Sequence, residues 1–485
     1  MNRQARLTLH SQLAALVRHK PVTVSPDASL REAVQEMAAN RVGSIIVIEP
    51  ESNRPMGIFT LRDLLHRVAA KDWDLDMPIM SVMSSTSLLM LNWRSTIYQA
   101  AIMMARHGVH HVIVVDASDK FVGVVSQEDI YELQSGGGKA ISGAIRTARD
   151  MDGLIAAAED IRRLALRMLT EGVAAEPLTQ LISSLNDHLT VRIIELTKQE
   201  FDLPKVAWCW LSLGSEGRFE QTLSTDQDNG LLFATGNIEG AAEDEATESL
   251  RAAFLPFAKT INARLADCGF PLCKGNIMAS NPELCLSLRE WRNRFFGWIN
   301  GNDPQALLNA TIFFDFRPLY GDEHLADELR DWLLANVVNA TLFLRFMAGN
   351  AISVEPPLGM FRDFVFDKNE EFPHTIDLKT YGSRLFVDVA RILALAGSVG
   401  ETGTAERLRA LAERGKLGRE DVGALIDGFF VIQQMRLRIQ QSGTPEGMAN
   451  RVNPDTLNEL DRLILKEAFK QAKKLQGRLQ MEFRL

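Results

Sequence analysis

Paired cysteines, long apolar runs and basic blocks are all missing from this 485-residue sequence. The four cysteines, Cys209, Cys268, Cys273 and Cys285, show no Cys-x-x-Cys spacing, so neither a zinc site nor a disulfide framework is expected. Such usage fits a reducing cytoplasm. No uninterrupted apolar stretch reaches the roughly 18 residues that a membrane span requires, and the polar N-terminus lacks a signal-peptide core. A formal net charge of −9 without a concentrated basic segment argues against nucleic acid as a partner. Lys466, Lys470, Lys473, Lys474 and Arg478 make the last helix basic, which reads as a solvated face. At this length two to four domains are expected, because a single core stops growing well short of it.

What is present begins with an internal repeat. Residues 28–33 with Met37 echo residues 95–100 with Met104, and residues 43–48 echo 110–115, each at an offset of 67. Residues 57–63 match 123–129 at an offset of 66. Each unit predicts helix, strand, turn, strand, helix, and such short units bury their faces only by packing together. Each ends in Gly-x-x-Thr/Ser-x-x-Asp, placing Thr60 with Asp63 and Ser126 with Asp129. That spacing is also a helix capping box, and a capped helix start still accepts anions. His107, His110 and His111 sit at a strand edge and read as structural rather than metal-binding. A Gly-rich hinge at 135–139 closes the repeat.

Beyond the hinge the apolar period becomes helical: Ile161, Leu164, Ala165, Met168 and Leu169 share one face, as do Leu178, Leu181, Leu185, Leu189, Ile193 and Leu196. An apolar strand at 206–213 follows and runs into Gly214-Ser215. A second strand is expected over 226–233, with Asp226 and Asp228 on one face by alternation. Two carboxylates that close repel unless a cation separates them, and Mg²⁺ takes hard oxygen ligands while sharing its shell with phosphates. Backbone N–H groups of the Gly-Ser turn lie where those phosphates would sit. The combination points to nucleotidyl transfer, the alternative being that 224–229 is simply turn-forming chemistry. Arg218, between the turn and the acid pair, reads either as a triphosphate contact or as a salt bridge to Glu216 or Glu220.

The string at 213–229 resembles the signature of the DNA polymerase β-type nucleotidyltransferase superfamily. It is similar to the catalytic region of bacterial PII-protein uridylyltransferases and, more specifically, to a family of CBS-linked nucleotidyltransferases of unassigned substrate. The tandem over about residues 20–135 looks like a CBS pair. The superfamily resemblance implies a third carboxylate on a later strand, a place Asp315 takes within 311–318; an ion pair with Arg317 is the alternative. It further implies that Asp226, Asp228 and Asp315 hold Mg²⁺, and that Gly214, Ser215 and Arg218 take the phosphates of an NTP. The CBS resemblance implies that Thr60, Asp63, Ser126 and Asp129 bind AMP, ADP or ATP, and that the chain forms a homodimer. Residues 273–282 resemble another block of the CBS-linked family, with Lys274 either at phosphate or simply exposed.

The expected fold is α+β and multidomain: a tandem CBS pair at 1–138, a nucleotidyltransferase domain with a helical lead-in at 139–345, and a C-terminal α-helical bundle at 346–485. Helices are expected over 384–395, 405–413, 420–441 and 454–483. The phosphohydrolase and amino-acid-sensing domains of the PII enzymes have no counterpart here, so neither the PII substrate nor glutamine sensing carries over. The expected activity moves an NMP group to an acceptor hydroxyl, a protein being one candidate acceptor, under adenine-nucleotide control. A non-catalytic nucleotide sensor acting through a partner is the alternative. RNA terminal addition is weaker, given the acidic balance.

Overall fold

This computed structural model describes residues 11–17, 22–40, 42–60, 63–64, 74–84, 88–107, 109, 111–126, 137–236, 241–301, 311–359, 364–366, 371–443 and 447–485. The chain divides into two compact units, Met1–Lys139 and Ala140–Leu485.

In the first unit the repeat is visible element by element. β1 (Thr23–Val24), α1 (Leu30–Asn40), β2 (Ser44–Ile48) and β3 (Pro55–Thr60) are followed by β4 (Met90–Asn92), α2 (Ile97–His107), β5 (His111–Val115) and β6 (Phe121–Ser126). Each half forms a three-stranded sheet whose middle strand pairs parallel with the first and antiparallel with the last. Reciprocal caps open both helices, Ser29 with Glu32 and Thr96 with Gln99. Leu30, Ala33 and Met37 are buried as their counterparts Ile97, Ala100 and Met104 are. Ile46, Ile113, Val115 and Phe121 draw the two sheets into one apolar cluster, as halves too small to fold alone require. Most of each closing helix, Asp129, His110 and residues 135–136 of the hinge lie outside the described residues.

The second unit opens with α3 (Gly138–Thr147), α4 (Met151–Thr170) and α5 (Ala175–Lys198), which lead into β7 (Trp208–Ser212). After a helical turn at Gly214–Gly217 come β8 (Asn229–Phe233), α6 (Ala241–Asp267), β9 (Cys285–Ser287), α7 (Leu288–Asn300), β10 (Arg317–Gly321), α8 (Glu323–Val337) and α9 (Thr341–Ile352). The short β11 (Ile376–Asp377) precedes a π-helical turn, Lys379–Ser383, that runs into α10 (Arg384–Ala396). α11 (Thr404–Glu413), α12 (Arg419–Gln441), β12 (Arg451–Val452) and α13 (Glu459–Phe483) complete it. The last helix starts at Glu459 because the Asn458 side chain caps it by accepting from Asp461 N, while Pro454–Thr456 forms a separate 3-10 turn.

Sheet order is β10-β7-β8-β9, with β7 antiparallel to both neighbours and β8 parallel to β9. Alternation along β7 sends Trp208 and Trp210 into a cluster with the lead-in helices, and Cys209 and Leu211 into a second cluster on the other face. That second cluster runs continuously from β7 through Leu329 of α8 to Leu479 of α13. Residues 139–345 and 346–485, which read as separate domains in the sequence, therefore pack around a shared core. Among the described residues no single helix is long and apolar enough to cross a membrane.

Candidate active site

Because β7 and β8 are antiparallel, with Ser212 opposite Asn229, the chain leaving β7 meets the chain entering β8 at one end of the sheet. Leu213 N donates to Asp228 O at 2.9 Å and fixes that meeting. Gly214 follows with φ +55°, a left-handed conformation that glycine adopts without steric cost. A Cβ at Gly214 would lie 2.9 Å from Asp228 Oδ2, and one at Gly217 only 1.9 Å from the Asp315 carbonyl oxygen. Gly217→Ala is expected to destabilise the protein by about 3 kcal/mol, the upper end of overpacking. Gly214→Ala costs about 1–2 kcal/mol of left-handed strain and also displaces Asp228. Urea unfolding of the two variants checks the ranking.

Asp226 and Asp228 do not lie on a strand. β8 begins at Asn229, so strand alternation is not what brings the two together. Side-chain clamps do that work. Gln227 Nε2 donates to the carbonyls of Asn262 and Phe270, and Asn262 Nδ2 donates to Gln227 Oε1 and Asn229 Oδ1. Asn229 Oδ1 also accepts from Ala279 N. The same bonds hold the 270–280 loop against the acids, and one oxygen each from Asp226 and Asp228 lies within 4.8 Å of the other and of Cys273 Sγ. Burial and then the Asp226 charge push the Asp228 carboxyl up to about 6, opposed by a hydrogen bond from Cys273 and by Lys379. Burial also raises the Cys273 thiol, which keeps its proton and serves as that donor. Two crowded carboxylate oxygens with a protonated thiol beside them form a hard-oxygen donor set, which fits Mg²⁺ rather than a thiolate-bound metal.

Asp315 does not join this group. The expected strand over 311–318 begins only at Arg317, and Asp315 precedes it with a side chain that is 0% exposed. Arg391 engages it with both Nε (2.9 Å) and Nη2 (2.6 Å), Arg218 Nη1 donates at 2.7 Å, and Arg407 Nη1 sits 2.7 Å from Oδ1. Burial alone would raise the carboxyl, but the charges of Arg391, Arg407 and Arg218 hold it well below the usual carboxylate range. The third-acid expectation is thus corrected, since these guanidiniums already satisfy both oxygens. Arg317 is not its partner either, pairing instead with Asp187 of α5 at 2.6 Å.

Arg218 takes the salt-bridge alternative: Nε meets Glu220 at 2.7 Å and Nη1 meets Asp315. Glu220 in turn accepts from Thr404 N at the start of α11. Arg317 donates to the Glu216 carbonyl and stacks on Phe219, whose φ is +58°. Ser215 Oγ sits 3.5 Å from Thr225 Oγ1, linking the turn to the acid-bearing loop. Apart from the Arg218–Glu220 pair, these clamps were not foreseen, nor was the polar face of α5, where Ser183 accepts from Gln221 N and Asn186 donates to Gln221. Buried polar residues at helical spacing, Thr179, Ser183, Asn186 and Thr190, were the available signal.

Glu216 is fully enclosed, and burial with the charges of Asp187 and Asp228 pushes it up to about 8 against the pull of Arg317. A carboxyl raised in the folded state stabilises below its unfolded value of 4.5 and loses that contribution as pH rises through about 8. Glu216→Gln should therefore flatten the fall in stability across this window, an effect on the order of a few kcal/mol. Denaturant midpoints measured from pH 5 to 8 test it.

At the exit of β3, Thr60 N donates to Asp63 Oδ2 at 3.0 Å, as does Thr60 Oγ1 at 2.7 Å, while Asp63 N donates back to Thr60 Oγ1 at 3.2 Å. This is the capping-box arrangement. Ser126 ends β6 at the equivalent point.

A sheet carrying a Gly-Ser helical turn and a clamped carboxylate pair at one end is the arrangement expected of a nucleotidyltransferase-type protein, here on one chain with a CBS-type tandem. The family described as “Putative nucleotidyltransferase DUF294” matches residues 159–305, and “Putative nucleotidyltransferase substrate binding domain” matches 341–483. “CBS domain” matches 13–70 and 94–136. The chain belongs to the family of CBS-containing nucleotidyltransferase-like proteins that these domains define.

Similar proteins include a CBS domain-containing protein of Bacillus subtilis, 33% identical over 22% of this chain and 74% of that protein. An uncharacterized protein of Methanopyrus kandleri is 25% identical over 24% of this chain, which spans 60% of that relative. A CBS domain protein of Pyrobaculum aerophilum, solved complexed with AMP, is 33% identical over 24% of this chain and 88% of that one, with TM-score 0.23.

Proposed function

We propose that the protein is a Mg²⁺-dependent nucleotidyltransferase that moves an NMP group from an NTP to an acceptor hydroxyl. The observation that carries this reading is the convergence of Asp226 and Asp228 beside the Gly214 turn. The acceptor oxygen forms a bond to the α-phosphorus and releases its proton to solvent, the bond to the bridging oxygen breaks, and pyrophosphate leaves. Asp226 and Asp228 would hold Mg²⁺, which would supply charge stabilisation for the attacking and leaving oxygens. Gly214 and Ser215 offer backbone N–H groups to the NTP phosphates. Arg218 keeps the turn in shape through Glu220 and Asp315. Catalysis by such a site is mainly positioning and charge stabilisation. A protein acceptor, as in the PII uridylyltransferases, is one form this takes, and a CBS-mediated homodimer its assembly.

The CBS pair is the regulatory half of the proposal. Thr60 with Asp63, and Ser126 with Asp129, present a hydroxyl and a carboxylate for the phosphate and ribose of AMP, ADP or ATP. A coupling of about 1–3 kcal/mol between these sites and the transferase would change affinity roughly 5–150-fold. Asp63→Ala and Asp129→Ala should weaken AMP binding in calorimetry, and unchanged affinity in both removes these sites from the account.

One observation favours a non-catalytic sensor instead, namely the neutralisation of Asp315 by arginines. The two readings separate on incubation of α-labelled NTPs with purified protein and cell lysate. A transferase labels an acceptor and releases pyrophosphate, whereas a sensor binds nucleotide and releases none.

A further inference from the structure

Arg436 stands on α12 in a row with Gln433 and Gln440, positions three and seven residues apart that share one helical face. All three are buried, Arg436 to 7% exposure. Its hydrogen bonds go to neutral oxygens only: Nε to Asn450 Oδ1 at 2.9 Å, and Nη1 to Gln433 Oε1 at 2.6 Å and Ser383 Oγ at 3.4 Å. Among the described residues no carboxylate lies within ion-pair distance of it. Every other arginine of the buried network has one, or stacks on a ring as Arg330 does on Phe316. Burial pushes the guanidinium down to about 10, so it stays charged at neutral pH. An enclosed cation without a contacting counter-ion is costly, and the nearby charges of Asp377 and Glu220 offset only part of that cost. The Asp377 carboxylate accepts from Lys379 N, Thr380 N and Thr380 Oγ1, and Glu220 is held by Arg218 and Thr404.

The surroundings connect to the acid-bearing loop. Gln440, one helical turn beyond Arg436, accepts from Ser224 N, two residues before Asp226, and donates to the same Asn450 oxygen that Arg436 uses. Ser383 closes the π-helical turn that Lys379 opens, and the charge of Lys379 reaches Asp228. Arg436 itself lies within electrostatic reach of Asp377, Arg218 and Glu220, the last two shortly after the Gly-Ser turn.

We propose that Arg436, with Gln433, Ser383 and Asn450 orienting it, forms an anion subsite that takes a phosphate or carboxylate group of a substrate. A planar guanidinium fixed by neutral acceptors keeps its remaining N–H donors for such a group. Naming the anion as part of a substrate rests on the transferase reading; the subsite itself does not. Two sources of the group share this chemistry, the NTP's own phosphates and an anionic acceptor.

Inorganic phosphate is the probe, titrated calorimetrically into the full chain without divalent ions. Wild type should bind saturably, Arg436→Gln should bind at least about tenfold more weakly, and Arg436→Lys should fall between them. Phosphate should raise the melting temperature of wild type and not of Arg436→Gln, and without phosphate the Gln variant should be at least as stable as wild type. A structural arginine would instead destabilise on removal. Repeating the titration with Mg²⁺ and an α,β-methylene NTP analogue separates the sources: phosphate binding alongside the analogue assigns the subsite to the acceptor, and competition assigns it to the nucleotide. Asp226→Asn with Asp228→Asn should lose the analogue and keep phosphate, so failure of the transferase reading leaves this test intact. Equal phosphate affinity in wild type and Arg436→Gln, or no saturable binding by wild type, overturns the proposal.

Discussion

Asp315→Asn should destabilise the second unit by about 3–5 kcal/mol, the range for removing one partner from a buried ion cluster. Three guanidiniums converge on this one carboxylate, which is fully excluded from solvent. Take the charge away and, of the three arginines, Arg391 and Arg218 keep only Asp388 and Glu220, while Arg407 loses the one carboxylate it pairs with among the described residues. The pairs join the segment before β10 to α10 and α11, so the loss is felt across the core that the β7–β10 sheet shares with the C-terminal helices. The pH dependence has a definite sign. A carboxyl held below its unfolded value of 3.8 contributes fully above that value, and the contribution disappears as pH falls below it. Urea unfolding of wild type and variant at neutral pH measures the effect. Were Asp315 a metal ligand, the variant would instead keep its fold and lose only metal.

The acid pair behaves oppositely. Asp226→Asn and Asp228→Asn should each leave folding intact and reduce nucleotidyl transfer by more than the roughly 100-fold typical of an outer-shell partner of a metal site. The double variant should be little worse than either single one, because groups acting as a unit fail together. Folding survives because Gln227, Asn229 and Asn262 hold the loop and none of their bonds uses either carboxylate. Label transferred from an α-labelled NTP, followed beside thermal unfolding, gives both readouts.

Much of the fold was legible because it is written in local periods. The tandem repeat, the lead-in helices and α10 to α12 follow from apolar spacing and caps that act within a turn or two. The acid pair was legible as chemistry but misplaced as structure. Asp226 and Asp228 were expected on a strand, whereas their approach depends on Gln227 and Asn229 meeting Asn262, 35 and 33 residues away. Asp315 failed for the same reason at longer range. A carboxylate in an apolar aromatic run announces a buried partner, but Arg391 lies 76 residues later and Arg218 97 earlier. Superfamily resemblance filled that gap with a metal. Arg436 gave no local signal at all, since a lone arginine on an amphipathic helix ordinarily reads as surface.

Titration of the full chain with Mn²⁺, followed by calorimetry, tests the central claim most directly. A site built by Asp226 and Asp228 predicts saturable binding that is abolished in the double Asn variant and undisturbed by Arg436→Gln. Equal uptake by wild type and the double variant would contradict it.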